Sequence, residues 1–150
     1  MPHFSPLEAT NDLKKILKTA FDSDLAVSGS WGYAQDDATL IEAKDMSLVQ
    51  TGHIFASMRA YIEMNMTLSE ENRYGSINLN EKTREEHTIE NQKYHKVTYE
   101  VTAMKESSYK QFIKEYKEEY GKTSFDLNQH FKRRKEATLH REVIHWFKII

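Results

Sequence analysis

The run Tyr94-His95-Lys96-Val97-Thr98-Tyr99-Glu100-Val101-Thr102-Ala103-Met104 is the longest stretch of the chain with β-branched and aromatic residues at strand spacing. Successive side chains of a strand point to opposite faces. His95, Val97, Tyr99, Val101 and Ala103 therefore share one face, and Lys96, Thr98, Glu100 and Thr102 share the other. One face packs and the other stays wet. Such a strand needs neighbours and a cover, and the flanking segments are patterned to supply them.

Before this strand, residues 6–21 carry Leu13, Ile16, Leu17, Ala20 and Phe21 at helical spacing, with Ser5 as a candidate N-cap and Pro6 in the first turn. Residues 25–43 read as a hairpin, with strands over 25–33 and 39–43. Asp36 and Asp37 make the turn, and Gly29 and Gly32 flank Trp31. Residues 46–66 return to helical spacing. Ile54, Phe55, Met58, Tyr61, Ile62 and Met66 form the apolar stripe, Arg59 and Glu63 lie on the other side, and Asp45 is a candidate cap. Residues 67–84 are the most polar part and read as a long surface loop. Within it, Ser76 to Asn80 is an alternative short strand with Ile77 and Leu79 inward.

A second hairpin joins 86–90 to the long strand through Asn91-Gln92-Lys93. Residues 107–120 then form a helix, with Ser108 and Gln111 resembling a capping box and Gly121 ending it. Residues 125–136 add a short helix with Phe125, Leu127 and Phe131 inward and Lys132 to Lys135 outward. The closing run Leu139 to Ile150 has apolar residues on both faces, as a central strand does. The order α-β-β-α-β-β-α-(α)-β predicts one α+β domain over 1–150, with a mainly antiparallel sheet of about five strands and helices packed on it.

The chain of 150 residues contains no cysteine, which removes disulfides, thiolate metal sites and cysteine nucleophiles together. No basic and apolar leader and no membrane-length apolar run is present, so a soluble, cytoplasmic protein is expected. The net charge of −2 disfavours nucleic acid as a partner. That sum conceals an asymmetry. Residues 105–150 carry 11 Lys or Arg against 7 Asp or Glu, whereas residues 1–104 are net acidic.

No catalytic motif stands out, and no catalytic residue is assigned. Gly29-Ser30-Trp31-Gly32 lacks the Gly-x-Ser-x-Gly elbow of an exposed serine nucleophile. The seven histidines show no spacing that puts two imidazoles on one helical face, so no metal site and no cofactor is expected. Glu42, Glu63, Glu85 and Glu86 read as surface carboxylates.

Two places remain as candidate sites. Trp31, Tyr33, Asp36 and Asp37 set aromatic faces, a phenol and two carboxylates beside flexible glycines, a composition suited to a ligand pocket. A buried Trp-Tyr pair followed by an acidic turn is the plainer explanation. Lys132, Arg133, Arg134 and Lys135 form the one concentrated basic cluster. That cluster could neutralise phosphates or meet an acidic protein partner, and a solvated helix end complementing the helix dipole is the plainer explanation. The expectation is a small binding or interaction protein for a protein partner or small ligand, whose working surface is either the basic segment 132–135 or a cleft near Trp31 and Tyr33. The alternative is a small-molecule-binding domain or enzyme with its pocket near Trp31 and Tyr33. Homodimer formation through exposed strand edges is also open.

Overall fold

In the computed structural model, which describes residues 2–150, the long alternating run becomes β4 (Gln92–Lys105), and its inner row does what the pattern requires. Val97, Tyr99 and Val101 are fully buried, and Ala103 nearly so. Val97 and Val101 each contribute roughly 1.5–3 kcal/mol by leaving water. The remaining elements are α1 (Leu13–Phe21), β1 (Val27–Gly29), β2 (Thr39–Ile41), α2 (Leu48–Tyr61), β3 (Tyr74–Ile89), α3 (Glu106–Glu119), α4 (Leu127–Ala137) and β5 (Leu139–Ile149). No helix among the described residues is long and apolar enough to cross a membrane.

The strands form one mixed sheet in the order β1-β2-β5-β4-β3. All pairings are antiparallel except β2 with β5, which run parallel. The fold is therefore α+β with a mostly antiparallel five-stranded sheet, as the element order predicts. β5 lies at its centre, in line with its apolar composition. The core collects Leu13 and Leu17 from α1, Phe55, Ala56 and Ala60 from α2, and the inner residues of β1, β2, β4 and β5. The β3–β4 turn is tight. Ile89 pairs with Gln92, and Glu90 and Asn91 both have positive φ, at 52° and 64°. Those are the signs a two-residue type I′ hairpin turn needs.

Several expectations need correction. α1 begins at Leu13 with Asp12 as its cap, whose carboxylate accepts from the Lys15 N–H. Residues 2–12 instead form an irregular arm ahead of it. The cap of α2 is Ser47, in a capping box with Gln50, not Asp45. α3 starts at Glu106 without a side-chain cap, so Ser108 and Gln111 do not form one.

The polar stretch 67–84 is mostly strand. β3 runs from Tyr74 as an edge strand, with register shifts between Gly75 and Asn78 and between Glu81 and Thr83. Its inner positions beyond Leu79 hold Glu81, Arg84 and Glu86, opposite Tyr99, Val97 and His95. An edge strand tolerates such charge, which also blunts it against pairing with another chain. On α4 the buried residue is His130, while Leu127 and Phe131 are exposed.

Candidate functional site

The helical register of α2 differs from the apolar stripe read in the sequence. Tyr61 and Met66 are exposed, whereas Arg59 and Glu63 are each only 2% exposed. Two ionisable residues one turn apart thus lie on the buried face. Burying such charges is costly unless they are paired and hydrogen-bonded. The helix deforms here: residues Ile62–Met66 form a π-turn, and the Thr67 N–H donates to Ile62 O at 3.1 Å. Such widened turns occur often where a helix must aim a side chain.

Arg59 bridges two backbones. Its Nη1 donates to Trp31 O at 3.2 Å and its Nη2 to Ile144 O at 2.9 Å. β2 pairs with β5 only from Phe147 onward, so the upstream edge of β5 has no strand beside it. Arg59 and the Trp31–Gly32 segment occupy that edge, and the Trp146 N–H donates to Gly32 O at 2.7 Å. The guanidinium also stands 4.4 Å over the Tyr33 ring and 4.0 Å from the Glu63 carboxylate. Burial is the main influence on Arg59 and lowers its pKa from the usual arginine value, with Glu63 opposing.

Glu63 is the hub. Its Oε2 accepts a short hydrogen bond from the Tyr33 hydroxyl. Its Oε1 lies 2.9 Å from Arg141 Nη1, although neither atom is aligned for a hydrogen bond. Burial, then the bond to Glu63, raises the Tyr33 pKa well above the ordinary phenol range. Two guanidiniums therefore converge on one carboxylate.

The irregular arm closes the cluster. The Leu7 N–H donates to Tyr33 Oη at 2.9 Å, and the Trp31 indole N–H donates to Glu8 O at 3.0 Å. Phe4 lies under the Arg141 guanidinium at 4.5 Å and meets the Tyr74 ring edge-on.

Beside this cluster, His145 is fully buried and stacked on Phe147. Thr39 Oγ1 donates to Ser30 O at 2.7 Å, so its hydroxyl proton is committed. His145 Nε2, 2.9 Å from the same oxygen, must then be the donor, which leaves Nδ1 as a bare acceptor without a partner. Burial, with Arg59 nearby, holds the His145 pKa well below the usual imidazole value.

Of the residues singled out from sequence, Trp31 and Tyr33 join this cluster. Trp31 does so as a core residue, 3% exposed and stacked on Phe55. Asp36 and Asp37 lie in a 3-10 turn (Gln35–Asp37), with Asp36 exposed, and only the Asp37 backbone is engaged, accepting from the Gly32 N–H at 2.8 Å.

The basic cluster of α4 is divided. Arg133 forms a fork with Glu115, and Arg134 lies over Phe131. Lys132 and Lys135 project into solvent. The same Glu115 accepts from the buried His130 ring at 3.2 Å, which pins α4 to α3. Among the described residues no group of three or more His, Asp or Glu gathers to hold a metal ion.

Arg59, Glu63 and Arg141 did not stand out in the sequence. The available signal was composition. From Phe55 to Met66 the helix is apolar on nearly every side, and Arg59 and Glu63 are its only charges, so a helix enclosed all round buries them. No protein-family model, no curated protein and no solved structure matches this chain.

Proposed function

We infer that this is a binding protein whose ligand is a small organic acid held between α2 and the sheet by Arg59, Arg141 and Tyr33. The supporting observation is the charge imbalance: two guanidiniums share one carboxylate beneath an arm without regular structure. A carboxylate entering beside Arg141 would supply the missing negative charge and accept from the Nη1 group that now lacks a hydrogen bond. Phe4 and Leu7 would move aside, because they occupy the approach. Arg recognises planar carboxylates in a two-point fork, which favours an acid over a neutral analogue.

The test is a thermal-shift and calorimetry series comparing small mono- and dicarboxylic acids with their amides. Acids should stabilise the protein by about 2.7 kcal/mol at about 100 times their dissociation constant, and Arg141→Met should abolish the shift. Phe4→Ala should tighten binding by loosening the arm. The reading fails if no acid shifts the transition and the arm amides exchange only through global unfolding.

A second reading keeps an acidic protein partner at α4, supported by Phe131 standing exposed beside Lys132 and Lys135. Joint Lys132→Ala and Lys135→Ala substitution would then weaken capture of an acidic peptide. Unchanged capture would dismiss it.

A further inference from the structure

The outer face of the sheet carries Thr98 and Ile144 as a directly opposed pair on β4 and β5. Ile144 is 44% exposed, a large apolar side chain standing in water at the middle of the face. Charge is distributed about this pair with a definite sense. Toward one end lie Lys96, cross-strand from Trp146, and Lys148, cross-strand from Tyr94. Toward the other end Glu100 lies directly opposite Glu142, and His140 opposite Thr102.

Like charges directly opposed on a sheet repel. The Glu100–Glu142 pair has Lys82 at 3.3 Å and His140 at 3.5 Å from Glu100, while Glu142 has no ion-pair partner among the described residues. Lys96 and Lys148 likewise make no salt bridge there. Lys96 stands over the Trp146 ring at 5.6 Å. Glu85 lies beside Lys96, Lys82 beside Glu100, and Arg134 and Lys135 of α4 line one hollow with Thr102, so the contrast is carried by the residues of β4 and β5 that face each other across the axis.

We propose that this face is a dimer interface with a second copy of the chain. The two-fold axis lies in the plane of contact, across the strands, over the Thr98–Ile144 pair. Rotation about that axis keeps β4 over β4 and β5 over β5 and reverses the strand direction. Lys96 then faces the partner copy's glutamates, Lys148 lies near the same acidic end, and the two Ile144 side chains meet at the centre. The surface is self-complementary, as an isologous contact demands. Near-aligned strands also match the common way two sheets pack, at about 10 Å separation. The edge strand β3 is a poorer route to the same dimer, because its charges and bulges oppose strand pairing.

Sedimentation of the intact chain across a dilution series tests this, with two charge variants. K96E/K148E puts carboxylates at both ends of the β4–β5 pair, and E100K/E142K puts lysines at both ends. The wild-type protein should sediment at twice the 17.7 kDa chain mass. Each variant alone should be monomeric, and an equimolar mixture of the two should recover the dimer. Ile144→Asp should dissociate the wild-type dimer. Circular dichroism confirms folding. If a double variant fails to fold, Lys148→Glu and Glu142→Lys alone and mixed give the same comparison.

A wild-type monomer at every concentration, with no dimer in the mixture, overturns the proposal. So does a dimer that survives Ile144→Asp and both charge variants, since the contact would then lie elsewhere.

Discussion

Glu63 is the residue on which the interior charges depend, because removing it leaves Arg59 and Arg141 facing each other with no counter-ion. Loss of one partner from a buried pair is more damaging than replacing both by apolar groups, since the survivor stays desolvated and unpaired. Glu63→Gln should therefore cost about 3–5 kcal/mol, read as a lower urea midpoint at constant slope. The double variant Arg59→Met/Glu63→Leu should cost less than the two single changes combined.

His145 sets a pH dependence whose sign follows from its surroundings. Burial and the facing Arg59 depress its pKa below the ordinary 6.5, and its other polar neighbour, Thr39, carries no charge. Once unfolded, the same imidazole takes up a proton near 6.5. The unfolded state thus binds more protons below that pH, and stability falls as pH drops, by up to about 1.4 kcal/mol per pH unit for each such group. His95, lowered by burial and then by Arg84, acts in the same direction. Urea midpoints measured at about pH 7.5 and about pH 5 should separate for the wild-type protein, and His145→Leu should reduce the separation. Equal separation in both would remove His145 from this role.

At the scale of elements, the β1–β2 hairpin locks onto β5 through a glycine rather than through a long ladder. Gly32 has φ 88°, and a Cβ there would lie 2.3 Å from His145 Cδ2 and 2.8 Å from Trp146 O. Gly121, also at positive φ, would meet nothing within 4 Å. Gly121→Ala should cost only about 1 kcal/mol of backbone strain, whereas Gly32→Ala adds a clash with two β5 residues and should unfold a large fraction of the protein. Thermal denaturation of the two variants side by side makes the comparison. Similar losses would mean that the hairpin adjusts freely.

The same scale explains which elements were legible in the sequence. β4 and β5 bury a whole face or a central position, so their apolar patterns are strong. β3 lies at an edge and places Glu81, Arg84 and Glu86 on its inner row, so it imitates a loop. The N-terminal arm imitates a helix start because Ser5-Pro6 is good cap chemistry, but the hydrogen bond of the Leu7 N–H to Tyr33 and that of the Trp31 indole to Glu8 O tie it across the site without regular structure. Trp31 and Tyr33 were visible as aromatics between glycines. Their partners Arg59, Glu63 and Arg141 come from α2 and β5, and spacing along a chain carries no information about such distant meetings.

For the molecule as a whole, the last strand is the joint between two otherwise separate hairpins. β5 pairs on one side with β4 and on the other with β2, and the Ile150 N–H donates to Ile41 O at 3.0 Å. It also supplies the fully buried His145 and the 1% exposed Phe147 to the core. The sheet therefore cannot close until the C-terminal residues arrive. Contacts so distant in sequence are formed at a high entropic cost and slow folding. A chain ending at Thr138 loses both ladders, the acceptor of Arg59 Nη2 at Ile144, and the Arg141 partner of Glu63. It should show no cooperative urea transition and greatly weakened near-ultraviolet dichroism. Removing Ile150 alone deletes a 61% exposed side chain and one hydrogen bond, and should cost only about 1 kcal/mol. If the chain ending at Thr138 unfolded as cooperatively as the full chain, β1 and β2 would be dispensable to the core around α2, and the central position of β5 would reflect topology without carrying stability.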